Sequence, residues 1–300
     1  MTLTPKVAAA SNWHGLALAA GGSIAFSGKA IVVKLAYRHG VDAVTLIMYR
    51  MLFALPMFAL LAWWAGRGRP ALSARDWVAV TGLGFSGYYL ASFLDFSGLA
   101  YITASLERLI LYLTPTVVLA IGAVFFKRPV TRRQLTALAI SYCGVLLVFG
   151  REVSFDGGQV AIGAALVFGS VVSYAIYLVA SGEVVGRLGA LRLTGLATSI
   201  ACLFCIAQFF VLRPVSAFAV APQVIWLSVL NATACTFLPV VMVMMAIERV
   251  GANIAAQTGM IGPLSTVAMG IVFLGEPFTG WIVAGTVLVL AGIWLLATWR

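Results

Sequence analysis

Five ionisable side chains fall inside otherwise apolar stretches of this sequence. They are Lys29 in "SGKAIVV", Arg50 in "IMYRMLF", Asp95 in "SFLDFSG", and the adjacent pair Glu107 and Arg108 in "SLERLILYLTP". A charge at bilayer depth is costly, so such groups face a bundle interior or a water-filled path and pair with one another. Two kinds of chemistry fit the pattern. One is a structural ion-pair cluster, for example Arg50 with Asp95 or Lys29 with Glu107. The other is a vestibule or gate in which these groups hold the charged ends of a zwitterion, or in which Glu107 exchanges a proton. Adjacent helical residues point about 100° apart, so Glu107 and Arg108 are expected to serve different neighbours.

Uncharged polar residues add stripes at helical spacing. Ser170, Tyr174, Tyr177 and Ser181 recur by four, three and four, and Tyr88, Ser92 and Asp95 by four and three; Ser23 and Ser27 form a shorter set. Asn231, Thr236 and Phe237 mark one further segment, and Asn253, Gln257 and Met260 another. The candidate substrate-binding residues are Ser23, Ser27, Tyr88, Ser92, Tyr174, Tyr177, Thr236, Phe237 and Gln257. For any single Ser or Thr, helix packing is the competing reading. Hydroxyls and amides beside aromatic rings suit a modest amphiphilic metabolite better than a polyanionic sugar nucleotide. Pro115, Pro239 and Pro263 lie within helical stretches and remove backbone bonds, which makes them candidate hinges or static kinks.

These residues are carried by a membrane chain. Of its 300 residues 62% are hydrophobic and 9% charged, with a mean hydropathy of +1.06, against roughly 45–50% apolar and 25% charged in soluble domains. About 20 apolar residues span a bilayer as a helix. The sequence predicts ten spans, at about 13–36, 43–64, 77–97, 103–126, 134–150, 160–182, 190–212, 223–247, 252–275 and 278–299. Runs such as "VVLAIGAVFF" are apolar on every face, which excludes the alternation of a membrane β-barrel. The first run lacks the shape of a cleavable signal and is expected to remain as a helix. The fold class is an all-α integral membrane protein.

The net charge of +10 is distributed by side rather than in a nucleic-acid patch. With a cytoplasmic N-terminus, that side receives twelve of the basic residues: Lys6, Arg67, Arg69, Arg75, Lys127, Arg128, Arg132, Arg133, Arg187, Arg192, Arg249 and Arg300. The other side receives Lys34, Arg38, Arg151 and Arg213. This bias predicts both termini cytoplasmic, with the excess charge meeting anionic lipid. The five intramembrane charges then belong to the outer half of the first repeat. Cys143, Cys202, Cys205 and Cys235 lie within spans as small packing residues; the CxxC has no second pair, and no metal or cofactor is expected.

An offset of 148 brings the two halves into register. Gly15, Leu18 and Gly21 meet Gly163, Leu166 and Gly169; Pro115 meets Pro263, Phe125 meets Phe273, and Gly144 meets Gly292. Residues 1–150 and 151–300 each hold five predicted helices. Five is odd, so the second half enters the membrane from the opposite face as an inverted repeat, an arrangement characteristic of secondary transporters. Glu107 and Arg108 fall opposite Ala255 and Ala256, so the charges are not duplicated with their helix.

The segments "LTPTVVLAIGAVFFKRPVTRRQLTALAISYCGVLLVFG" and "IGPLSTVAMGIVFLGEPFTGWIVAGTVLVLAGIWLLATW" resemble the closing helices of the two EamA units of the drug/metabolite transporter superfamily. The second matches through Pro263, Gly275, Glu276 and Gly292, whereas the first has Lys127 and Arg128 where the family often has Gly and Glu. Across the whole chain the similarity is greatest to the YddG-type exporters of aromatic and other neutral amino acids. That resemblance implies a cavity built from helices 1, 3, 4, 6, 8 and 9, with 2, 5, 7 and 10 peripheral.

The expected function is a multi-pass inner-membrane carrier, monomeric or homodimeric, that exports small neutral metabolites, among them aromatic amino acids, by alternating access. A drug or nucleotide-sugar-like exporter is the alternative within transport. A membrane-embedded enzyme or scaffold is the alternative outside it, disfavoured because no P-loop, HExxH or GxSxG motif occurs.

Overall fold

The computed structural model describes residues 12–127, 130–156, 158–250, 254–255 and 258–298, and all its regular structure is helical. Among the described residues, eight helices are long and apolar enough to cross a membrane. They are α1 (Asn12–Tyr37), α2 (Ala43–Gly66), α3 (Ala74–Leu99), α4 (Ala104–Phe125), α5 (Arg132–Asp156), α6 (Gly158–Leu188), α7 (Ala190–Leu212) and α8 (Pro222–Val250). Two shorter apolar helices follow, α9 (Ile261–Leu274) and α10 (Gly280–Thr298). α5 and α6 run several residues beyond their predicted ends. The predicted ninth span, from 252, is described at 254–255 and from 258 onward, and Asn253 and Gln257 lie outside the described residues.

Local chemistry sets the helix starts. Asp42 caps α2 by accepting from the backbone N–H groups of Val44 and Thr45. Ser73 and Asp76 form a capping box on α3, and Thr103 accepts from Leu106 N–H at the start of α4.

The packing repeats as the sequence does. α2 lies along α7 and α5 along α10, each helix on its own equivalent; α3 packs on α6 as α8 packs on α1, and α4 on α6 as α9 on α1. At the crossing of α5 and α10, a Cβ on Gly144 would sit 2.6 Å from the Gly285 carbonyl, and one on Gly292 would sit 2.6 Å from that of Ala137. Gly285 is residue 137 plus 148, so the two contacts are one contact repeated. Without hydrocarbon gain between helices in lipid, such close backbone approach supplies much of the attraction. Gly144→Val is expected to cost about 1–3 kcal/mol in a detergent unfolding titration; wild-type stability would show that the crossing carries no such constraint.

Two departures from α geometry also repeat. A π segment occupies Phe85–Leu90 in α3 and another Thr233–Phe237 in α8, 148 residues apart. α4 breaks at Tyr112 and Leu113, and the chain turns at Gly259 and Met260 before α9. Each break lies just ahead of its proline. Pro115 cannot donate to Leu111 O, and the Thr114 hydroxyl takes that carbonyl at 2.6 Å. Pro263 likewise leaves Gly259 O, which accepts the Tyr112 hydroxyl at 3.1 Å. The break of one repeat is thereby bonded to the break of the other.

Candidate functional site

A cavity of about 380 Å³ lies between the repeats, lined by residues of α1, α2, α3, α4, α6, α7 and α8. The π segments aim several of these side chains. In α3 the irregular turn presses Gly87 against the ring of Tyr177 and turns Tyr88, then Ser92 and Asp95, toward the cavity. The Ser173 hydroxyl donates to Ser86 O at 2.7 Å, covering a carbonyl within the π segment. In α8 the Thr236 hydroxyl donates to Asn231 O at 2.8 Å, five residues back, and turns its oxygen to the cavity. π segments of this kind recur at functional sites.

The charged residues form two groups. Lys29 bonds the Oδ2 of Asp95 and lies 3.3 Å from Glu107 Oε1, so one cation serves two carboxylates. Glu107 is fully buried and does not line the cavity, whereas Lys29 and Asp95 do. Of the two pairs expected as examples, Lys29 with Glu107 is present and Arg50 with Asp95 is not. Arg50 goes to Thr236 rather than Asp95, donating from Nε at 3.2 Å with its guanidinium 5.0 Å above the Phe96 ring. Arg108 donates to Ser27 Oγ at 2.6 Å and Thr266 Oγ1 at 3.0 Å, and Ser27 passes the link to Gly262 O at 2.9 Å. Glu107 and Arg108 do serve different neighbours, and Arg108 fastens α4 to α1 and α9. Among the described residues neither cavity arginine has a carboxylate within ion-pair distance.

Of the uncharged candidates, Tyr88, Ser92, Tyr174 and Thr236 line the cavity. Ser23 and Pro239 line a continuation of about 260 Å³ running toward the start of α1 and the end of α8. Ser27 is buried with its hydroxyl engaged in the Arg108 network. Tyr177 stands behind the wall, bonded to the Tyr88 hydroxyl at 3.2 Å and stacked on Tyr174 at 5.5 Å. Phe237 packs edge to face on Phe58 at 5.4 Å. Pro115 borders the cavity, and Pro263 is buried at the α9 break.

Phe26, Met51, Phe58, Thr198 and Tyr112 also line the site, and none was a sequence candidate. Tyr112 carried a readable signal, four residues after Arg108 and three before Pro115. The expected division of helices needs correction too. α2 and α7, assigned to the periphery, supply Arg50, Met51, Phe58 and Thr198, while none of the described residues of α9 lines the cavity. The long arginine side chain reaches inward from a helix whose backbone lies farther out.

At the opposite end hydrogen bonds tie the helices to one another. Glu276, beyond α9, accepts from Ala104 N–H at 2.7 Å and from the Ser105 hydroxyl at 2.7 Å. Lys34 donates to Ile102 O and the Tyr37 hydroxyl to Phe96 O, both at 2.6 Å. A separate recess of about 490 Å³, bordered by Lys34, Arg38 and Glu276, lies outside this layer.

The comparisons with known proteins follow the same duplication. The EamA-like transporter family matches residues 13–150 and again residues 161–298. The chain belongs to the EamA-like transporter family. Relatives of this chain include the uncharacterized transporter YcbK of Bacillus subtilis, 29% identical over 264 residues, covering 85% of this chain and 83% of YcbK. YetK of the same organism, also an uncharacterized transporter, is 25% identical over 252 residues, covering 82% of this chain and 76% of YetK. An uncharacterized transporter of Archaeoglobus fulgidus is 22% identical across 90% of this chain and 92% of its own length. The fold is shared with a crystal structure at a TM-score of 0.64 and 16% identity, covering 95% of this chain and 97% of the other. The EamA chain described here is therefore a multi-pass membrane protein of transporter rather than enzyme type.

Proposed function

We propose that this EamA protein exports small neutral metabolites, amino acids including aromatic ones, across the inner membrane by alternating access. The observation that carries the reading is the cavity between the repeats, where both signs of charge and an aromatic wall of Phe26, Tyr88 and Tyr174 face one space of about 380 Å³. That size and mixture match a small amphiphile. In this reading all ten helices cross the membrane, residues 1–150 and 151–300 form inverted units, and both termini are cytoplasmic. The cavity's continuation then faces the cytoplasm, and the end tied by Glu276 faces outward. Pro115 and Pro263 act as paired hinges, and the basic surface meets anionic lipid. The carrier works without a cofactor, as a monomer or homodimer.

Reconstitution tests the proposal. Proteoliposomes are expected to take up labelled tryptophan, phenylalanine or threonine faster than empty liposomes, and equal rates would sink the amino-acid reading. An imposed pH gradient then separates proton exchange, in which uptake follows the gradient, from facilitated diffusion, in which it does not.

A further inference from the structure

Equivalent helix pairs close the two ends of the bundle to different degrees. At the end tied by Glu276, α1 packs on α3, with Ala30, Val33, Phe96 and Leu99 buried in one core cluster. Two long side chains of α1 complete that contact. Lys34 donates to Leu99 O at 3.3 Å and to Ile102 O at 2.6 Å, and the Tyr37 hydroxyl donates to Phe96 O at 2.6 Å. The offset of 148 carries α1 onto α6 and α3 onto α8. In the inverted arrangement proposed above, the pair that closes the other end is therefore α6 with α8. Among the described residues these two helices have no comparable contact.

The residues on α6 and α8 are shaped for such a contact. Phe26 on α1 and Tyr174 on α6 are equivalents, and both line the cavity and its continuation. Beyond them the two helices differ. Ala30 is 2% exposed and its equivalent Leu178 is 39% exposed. Phe96 and Leu99 are buried, whereas their equivalents Met244 and Ile247 are half-buried, and Met244 lines the continuation. Lys34 is replaced by Gly182. Among the described residues a Cβ on Gly182, or on Gly186 one turn later, would meet nothing within 4 Å. A glycine lets two helix backbones approach closely, where Lys34 spans the corresponding gap with its own length.

We propose that α6 and α8 form the second gate of the transporter: when the tied end parts, Gly182 and Val185 close on Met244, Ile247 and Val250 and seal the continuation. The inference rests on the alternating-access reading above and names the residues that close in it. The two gates differ in chemistry. The tied end is held by side chains donating to backbone carbonyls and by Glu276 accepting at the start of α4. The second gate is apolar, and its closure covers Val243 and Met244, which line the continuation here. Loss of water from that surface favours closure, and the hydrogen bonds given up at the tied end oppose it. A bulky side chain at position 182 therefore acts on one gate only, because it has room in the form described here and none in the other.

The test places Gly182→Trp beside Gly150→Trp, a control on α5 where a Cβ also meets nothing within 4 Å among the described residues. Both carry Ser92→Cys at the cavity wall, in a background where the exposed Cys143 is replaced by serine. A membrane-impermeant maleimide is applied from each side in turn. Labelling from the Glu276 side is expected to fall at least about tenfold in Gly182→Trp, with no loss from the other side, and both rates should be unchanged in Gly150→Trp. Since the tryptophan has room in the form described here, Gly182→Trp should be as stable to heat as the control. A second construction drives the gate the opposite way. Gly182→Cys with Ile247→Cys, oxidised to a disulfide by copper phenanthroline, should keep labelling from the Glu276 side and lose it from the other. Unchanged rates in Gly182→Trp, or a double-cysteine protein that forms no disulfide, overturn the gate assignment and leave alternating access standing as long as the background is labelled from both sides. A background labelled from one side only overturns both.

Discussion

Lys29→Met is expected to destabilise the folded protein by about 3–5 kcal/mol, the loss that follows when one partner of a buried ion pair is removed. The reason lies in how much depends on a single ammonium group. Lys29 bonds Asp95 and lies 3.3 Å from Glu107, whose two oxygens are buried and accept no hydrogen bond among the described residues. Methionine matches the length and apolar stem of lysine, so little packing is lost; what remains is two carboxylates facing each other in a low-dielectric interior. The loss should therefore be recoverable. Lys29→Met combined with Asp95→Asn and Glu107→Gln replaces the charged triad by neutral groups of similar shape and is expected to regain most of the stability, since such replacements are often close to neutral. Unfolding titrations of both variants in detergent decide the matter. A single variant within about 1 kcal/mol of wild type, the range of an exposed pair, would mean that Lys29 does not neutralise its neighbours. A triple variant as unstable as the single one would mean that the lysine stem, rather than its charge, holds α1 in place.

The contrast between these residues and their unexpected neighbours shows what spacing can and cannot reveal. Apolar length places helices, because a bilayer allows few alternatives, and the offset of 148 placed the paired proline breaks. The same offset relates two of the three π segments among the described residues, the third being Gly270–Leu274 in α9, yet nothing in "FSGYYL" or "TACTF" distinguishes a π turn from ordinary helix. That geometry comes from packing, with Gly87 under Tyr177 and Thr236 reaching five residues back. Periodicity assigns a residue to a face but not to a neighbour. Tyr88 and Tyr174 were legible on two polar stripes, whereas Tyr177, on the same stripe as Tyr174, stands behind the cavity wall. The partners of Arg50 and Arg108 depend on how closely α8 and α9 approach, which no single segment encodes. Lys127 shows a different limit. It stands in the left-handed conformation with φ of 50°, where its equivalent Gly275 has φ of 70°, so the turn is retained although the glycine is not.

Glu276→Gln is expected to loosen the tied end of the bundle and raise the ratio of open to closed forms by about 5- to 30-fold, the equivalent of roughly 1–2 kcal/mol. Gly275 supplies the turn that brings Glu276 back under α4, and the Glu276 N–H donates to Gly270 O at 3.1 Å. The carboxylate then accepts from Ala104 N–H, Ser105 N–H and the Ser105 hydroxyl. It thus occupies the N-terminus of a helix from the other repeat, where unpaired amides favour negative charge. Glutamine keeps the shape and one acceptor oxygen but gives up the charge assistance. Residue 128, the equivalent of Glu276, is arginine, so the carboxylate is not duplicated in the first repeat. The effect is measurable with Ser92→Cys, a cavity position, in a background where the exposed Cys143 is replaced by serine. A membrane-impermeant maleimide should label this cysteine faster in Glu276→Gln than in the unaltered background when applied from the Glu276 side, with no gain from the other side. The side that gains also reports the orientation of the chain. Equal rates from both sides in both proteins would separate Glu276 from gating and leave it as a helix cap alone.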